Sequence, residues 1–177
     1  MKFLIIGCGS IGKRHILNLK QISPKSEISG FDSNFTLLKK TCNDLKINQS
    51  LEKNLDDTKY DCVFICTPPS THVQLAKRVI NSGSNIFIEK PISSNSKQIS
   101  SLLSHIKKKK VLTFVGYNLR FHKSIFTIKK LIDSGKFGNT VHVSSYFGSF
   151  LPDWRSGQDY SKNYTARNDL GGGIIYD

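Results

Sequence analysis

Short apolar runs alternate along the chain with longer stretches in which apolar positions recur every three or four residues. The runs are Lys2–Ile6, Glu27–Phe31, Asp61–Cys66, Asn85–Ile88 and Val111–Val115. Their β-branched and aromatic content marks them as buried strands. A weaker strand falls near Ile47. The longer stretches predict helices from Ile11 to about Leu19, over Asn34–Leu45, from the Thr67–His72 loop to about Ser82, and over about Ser96–Lys109, with Gly83 stopping the third. Strands and helices taken in turn predict an α/β fold on a doubly wound parallel sheet, because parallel neighbours need a crossover helix. The pattern breaks near Arg120. A helix over Lys123–Asp133 is stopped by Gly135, and an alternating strand over Thr140–Phe150 follows. Next come a polar, aromatic loop over Pro152–Asp169 and a further helix opened by Gly171-Gly-Gly. The expected division is a first domain at 1–119 and the start of an incomplete α+β second domain at 120–177. A lone strand such as Thr140–Phe150 leaves its ladder groups unpaired.

The first strand runs directly into Gly7-Cys8-Gly9-Ser10-Ile11-Gly12. This G-x-G-x-x-G spacing is that of a dinucleotide-binding turn, which makes the expected sheet Rossmann-type. Gly7 permits the tight turn, Gly9 lets backbone N–H groups approach a pyrophosphate, and Gly12 lets helix and strand pack closely. The helix N-terminus adds unpaired N–H groups and a positive dipole end. Asp32 stands twenty residues past Gly12 (32 − 12), at the end of the second strand. A carboxylate there accepts hydrogen bonds from the ribose hydroxyls of the adenosine half and repels a 2′-phosphate. Ser33 and Asn34 follow it, with no arginine to receive that phosphate. The expected cofactor is NAD, with NADP less favoured. Ligands on such sheets gather at the carboxyl ends of the strands, where Thr67–His72, Glu89–Pro91 and Gly116–Arg120 also fall.

Composition narrows the class without changing the fold. Ile5-Ile6-Gly7-Cys8 imitates a lipoprotein cleavage box, but the apolar run before it, Phe3–Ile6, is too short for a signal peptide. No segment approaches the length of a membrane span, and the expected location is cytoplasmic. Cys8, Cys42, Cys62 and Cys66 lack metal-ligand spacing and read as small buried hydrophobes, so no metal is expected. A formal net charge of +13 raises nucleic acid as a partner. The densest run, Lys107–Lys110, closes a predicted helix, where cations suit the dipole. The other lysines are scattered and no nucleic-acid motif accompanies them. No nucleic-acid or membrane partner is expected.

Several motifs, in order, carry a family likeness: Gly7-Cys-Gly-Ser-Ile-Gly12, Thr67-Pro-Pro-Ser-Thr-His72, Glu89-Lys-Pro91, Gly116-Tyr-Asn-Leu-Arg-Phe121, Trp154-Arg155 and Gly171-Gly-Gly-Ile-Ile-Tyr-Asp177. Together they resemble the Gfo/Idh/MocA oxidoreductases, the glucose–fructose oxidoreductase and inositol dehydrogenase family. The resemblance implies an NAD-dependent oxidoreductase acting on a hydroxyl or carbonyl of a sugar or nucleotide sugar. It implies Lys90 as the lysine that exchanges the hydroxyl proton while hydride moves to the nicotinamide. Glu89 then positions the cofactor or the lysine. Cys8, Ser10 and Ile11 join the three glycines and Asp32 against the dinucleotide, and Thr67, Pro68 and His72 match a loop that passes along it. Asn118 matches a cofactor-orienting group, Arg120 a substrate-orienting one, and Trp154 and Arg155 a pair at the nicotinamide end. Asp177 matches a catalytic aspartate. Leu151-Pro-Asp-Trp-Arg155 and Asp159-Tyr160 resemble the branch that serves cell-surface polysaccharide sugars, which places Tyr160 with Lys90 and Arg120 as substrate contacts. His15, His105, His122 and His142 receive no role.

The chain departs from the family pattern at its end. In the family the glycine-rich segment continues as Asp-x-x-x-His, and here the sequence stops at Asp177. Most of the family's second domain, an open antiparallel sheet, is missing too. The expectation is an N-terminal part that binds NAD(H) and turns over poorly, with homo-oligomers formed by a longer protein. The alternative is a non-catalytic dinucleotide-binding or partner-binding module, whose partner covers Tyr146, Phe147 and Phe150.

Overall fold

The computed structural model describes residues 1–148, 150, 152–153, 159–170 and 172–173. Six parallel strands form one sheet: β1 (Lys2–Ile6), β2 (Glu27–Phe31), β3 (Asn48–Gln49), β4 (Cys62–Ile65), β5 (Asn85–Ile88) and β6 (Thr113–Val115). They lie in the order β3-β2-β1-β4-β5-β6. The connecting helices are α1 (Ser10–Ile22), α2 (Phe35–Leu45), α3 (Asn54–Asp57), α4 (Pro69–Asn81) and α5 (Lys97–Lys109). The strand order reverses beside β1, so the crevice between the carboxyl ends of β1 and β4 is the ligand position of a doubly wound sheet.

The period of two along each strand decides what covers each face. Leu4, Val63 and Ile86 stand in register across β1, β4 and β5, as do Ile6, Ile65 and Ile88. These rows pack under Val73, Ala76, Val79 and Ile80 of α4 and Leu102 of α5. The alternate residues Phe3 and Ile5 turn to the other face and meet Ile16 and Leu19 of α1. On that face Phe64, Phe87 and Phe114 stack in register, with ring centroids 4.9 and 5.5 Å apart. Burying an aliphatic side chain of this kind stabilises by roughly 1.5–3 kcal/mol. Both rows are therefore strong anchors for the loops at their ends.

Two compact units divide the chain. One comprises Met1–Gly116 with the described residues from Tyr164 onward, and the other is Tyr117–Asn163. The second unit carries a short 3-10 helix, Asn118–Phe121, then α6 (Lys123–Asp133), and another 3-10 turn at Tyr160–Lys162.

The strand expected at Thr140–Phe150 does not form over its described residues. A strand needs a neighbour to take its ladder bonds, and no other strand lies among the described residues of this unit. Val143 is 72% exposed and Tyr146 99%. The alternation is real in the sequence and has no strand to pair with among the described residues of this unit. The helix expected after Gly171-Gly-Gly lies outside the described residues, apart from Gly172 and Gly173.

Candidate functional site

β1 ends in a turn that only glycine fits. Gly7 has φ of +94°, and a Cβ there would sit 2.6 Å from the Cys66 carbonyl oxygen at the end of β4. A Cβ on Gly12 would run into the Gly7 carbonyl oxygen, so helix and turn close on each other through that glycine. Gly9 differs. A Cβ there would meet nothing within 4 Å, which leaves open the space a pyrophosphate needs. Gly9 is also the N-cap of α1, with no side-chain cap and no acid in the first turn. The first-turn N–H groups of Ser10, Ile11 and Gly12 and the helix dipole thus remain uncompensated by side chains, an arrangement that suits an anion.

Asp32 follows β2 at the edge of this turn. Its Oδ2 accepts from the Cys8 backbone N–H at 2.7 Å and its Oδ1 from the Asn34 N–H at 2.8 Å. Each carboxylate oxygen keeps a further lone pair for a ribose hydroxyl. Asn34 caps α2 by accepting from the Leu37 N–H at 3.0 Å, which fixes where the carboxylate sits. The Cys8 side chain faces inward with Leu38 and Cys42. Burial, and secondarily the Asp32 charge, pushes its thiol up to about 12. Cys8 therefore offers the site its backbone and not its sulfur.

Across the crevice, β4 runs into Thr67 and Pro68, and Pro69 starts α4 at a position where its missing N–H costs nothing. The Thr71 hydroxyl lies 2.7 Å from the Thr67 hydroxyl and 2.9 Å from the Pro68 carbonyl oxygen. His72 is fully buried. Its Nε2 lies 2.7 Å from the Thr67 carbonyl oxygen and its Nδ1 2.9 Å from that of Pro91. Both ring nitrogens face carbonyl oxygens of the protein, so the imidazole sits between the Thr67 loop and the Lys90-Pro91 loop and, when neutral, donates to one of them. Burial, its largest influence, holds its pKa below the ordinary value, against the pull of the two carbonyls and of Glu89.

Glu89 and Lys90 leave the carboxyl end of β5. Glu89 Oε1 lies 2.7 Å from Nε2 of His15 on α1, and Oε2 accepts from the Lys90 backbone N–H at 3.2 Å. Sequence reasoning gave His15 no role. The available signal was its place on the inward stripe of α1 with Gly12, Ile16 and Leu19, where a polar ring needs a partner.

The structure thus brings Gly7–Gly12, Asp32, Thr67, Pro68, Glu89 and Lys90 to the carboxyl ends of β1, β2, β4 and β5 of one sheet. Asn118 and Arg120 lie exposed on the 3-10 helix of the second unit, and Tyr160 opens a turn of that unit. Trp154, Arg155 and Asp177 lie outside the described residues. Among the described residues, no group of three His, Cys, Asp or Glu is placed to hold a metal ion, and no helix is long and apolar enough to cross a membrane.

Residues 1–117 match the Gfo/Idh/MocA family, described as an oxidoreductase family with an NAD-binding Rossmann fold. An uncharacterised oxidoreductase of Bacillus subtilis, YrbE, is 32% identical over 143 residues, which is 78% of this chain and 41% of that protein. Myo-inositol 2-dehydrogenase of Thermotoga maritima is 27% identical over 141 residues, 78% of this chain and 42% of that enzyme. Among solved structures, the WlbA dehydrogenase of Bordetella pertussis, in complex with NADH and UDP-GlcNAcA, aligns with a TM-score of 0.73 at 26% identity. That alignment covers 78% of this chain and 41% of WlbA. The chain spans about two fifths of the length of these relatives.

Proposed function

The chain belongs to the Gfo/Idh/MocA oxidoreductase family, and on that premise we propose that it is the cofactor-binding part of an NAD-dependent dehydrogenase for sugar or nucleotide-sugar hydroxyls. The observation that carries this reading is the turn itself: an uncapped helix N-terminus over the open face of Gly9, with Asp32 hydrogen-bonded to the Cys8 N–H at 2.7 Å. The first-turn N–H groups of α1 hold the pyrophosphate, and Asp32 takes the adenosine ribose hydroxyls and disfavours a 2′-phosphate. Thr67 and Pro68 border the dinucleotide. When bound, NAD supplies the hydride acceptor.

The remaining chemistry falls to the chain's own residues. Lys90 Nζ takes the proton of the substrate hydroxyl and returns it in the reverse direction. Asn118 and Arg120 orient cofactor and substrate, Trp154 and Arg155 serve the nicotinamide end, Tyr160 contacts the substrate, and Asp177 is the catalytic aspartate beside Lys90 in role. Relatives named for inositol and for a UDP-sugar support the substrate class, and the likeness of Asp159-Tyr160 to the polysaccharide branch supports a role in making surface sugars. All four cysteines are free thiols, which suits a reducing cytoplasm. We assign dinucleotide binding to these residues and treat turnover as a property of a protein of the relatives' length.

Lys90→Met in the whole protein tests the reading. NADH binding should persist while turnover of inositols or UDP-sugars falls about 10²–10⁴-fold, the usual worth of a general acid–base group. Undiminished turnover would remove Lys90 from the proton path.

A further inference from the structure

His15 stands three residues past Gly12 (15 − 12), on the helix whose N-terminus forms the glycine turn. Its Nε2 lies 2.7 Å from Glu89 Oε1, across a sequence separation of 74 residues. Both side chains are largely withdrawn from solvent, at 16% and 13% exposure. An ionised carboxylate only accepts hydrogen bonds, so Nε2 carries the proton and donates. The second oxygen, Oε2, accepts from the Lys90 backbone N–H at 3.2 Å. A third element closes on the same group. A Cβ on Gly116, just past β6, would lie 3.0 Å from Oε1 and 3.2 Å from Oε2. A side chain at that position would press on the carboxylate, and glycine lets it lie flat against the backbone.

We propose that His15 is a positioning residue that acts through Glu89, bracing the cofactor turn against the lysine of the proton path. One carboxylate serves two donors from different ends of the site, His15 behind the pyrophosphate turn and the Lys90 amide. The carbonyl oxygen of Pro91, the next residue, lies 2.9 Å from His72 Nδ1. Lys90 thus leaves a backbone anchored to Glu89 on one side and set beside buried His72 on the other. A buried carboxylate deprived of a donor loses this geometry, because the unmet acceptor must move to find another.

His15 also packs its ring against Phe64 and Phe87, with centroids 5.3 and 5.0 Å away. A packing role and a bracing role predict opposite results for two substitutions. His15→Phe keeps the ring and removes the donor. His15→Gln keeps a donor of similar reach and removes the ring. Glu89→Leu is a third variant, of similar size but with no acceptor oxygen, so His15 and the Lys90 amide both lose their bond.

Two readouts decide, after circular dichroism has shown which variants fold. The first is the rate at which Lys90 is acylated by an N-hydroxysuccinimide ester, followed by peptide mass spectrometry without cofactor. The second is NADH affinity. The brace predicts that His15→Phe and Glu89→Leu shift the Lys90 rate and weaken NADH binding about tenfold, the usual effect of unpairing a buried polar group. It predicts that His15→Gln stays within about twofold of the parent on both readouts, since the charge-assisted bond is kept. The reverse order, with Phe like the parent and Gln impaired, overturns it in favour of packing. Unchanged values in Phe and Glu89→Leu overturn it outright. The proposal rests on the dehydrogenase reading for its NADH arm alone. Parent protein that binds no NADH defeats that reading, while the acylation rates still decide the brace.

Discussion

At the scale of single residues, the turn after β1 is governed by what a methyl group would strike. Gly12→Ala drives a Cβ into the Gly7 carbonyl oxygen, which is backbone and cannot swing aside. We expect a loss of about 1–3 kcal/mol in chemical denaturation, and an accommodated alanine with parental stability would show that the turn is looser than described. Cys8 gives a second expectation. With its thiol pushed up to about 12 by burial, it should resist iodoacetamide at pH 8 in the folded protein and react on unfolding. Prompt labelling of native Cys8 would contradict the inward packing with Leu38 and Cys42. These residues were legible in the sequence because their roles are local: three glycines at fixed spacing and an acid at the next strand end. His15 was not, since its meaning depends on Glu89, 74 residues away. The partners of His72 were hidden for the same reason. Its motif points to the cofactor, and its ring nitrogens lie 2.7 and 2.9 Å from the carbonyl oxygens of Thr67 and Pro91, the latter 19 residues away.

At the scale of elements, α4 holds the two site loops together through a buried histidine. A neutral imidazole has one N–H, so only one of the two carbonyls can accept from it, and both accept only from the protonated ring. Burial outweighs that second bond and keeps the folded pKa below its ordinary value of 6.5. The folded state thus resists the proton that the unfolded chain takes up. The stabilising contribution is present above the unfolded pKa and is lost as pH falls from there through the folded value. Denaturation curves should show stability falling below pH 6.5, with a slope of at most about 1.4 kcal/mol per pH unit from this group. His72→Gln should flatten that slope, and an equal slope in the variant would assign it elsewhere. The strands β1 and β5 fall where their patterns place them, because layers on both faces write the apolar runs Phe3–Ile6 and Ile86–Ile88. β2 does so although Ser29 and Gly30 interrupt its run. The stretch expected as a strand at Thr140–Phe150 shows the limit. Alternation describes a face, but a strand also needs a neighbour, and neighbours are set by the rest of the fold. The four-residue α3 carried no periodic signal. It is held from outside, by Leu55 in the core and by Arg78 of α4 paired with Asp56 at 2.6 Å.

At the scale of the whole molecule, the sheet order and the glycine turn place an anion-binding helix end and an acid on the same crevice, which is what a dinucleotide requires. The net charge of +13 favours the approach of an anionic cofactor or nucleotide sugar without choosing between them. The return of residues near Thr165 to the first unit had no sequence signal, because packing a segment against a distant part of the chain leaves no local period. The central claim is that this crevice binds NAD(H) through Asp32, and calorimetric titration of the 177-residue chain with NADH and with NADPH tests it most directly. We predict saturable NADH binding, NADPH weaker by about tenfold or more from carboxylate–phosphate repulsion, and a collapse of that preference in Asp32→Ala. No saturable NADH binding by the parent chain, or equal affinity for both cofactors, would contradict the account.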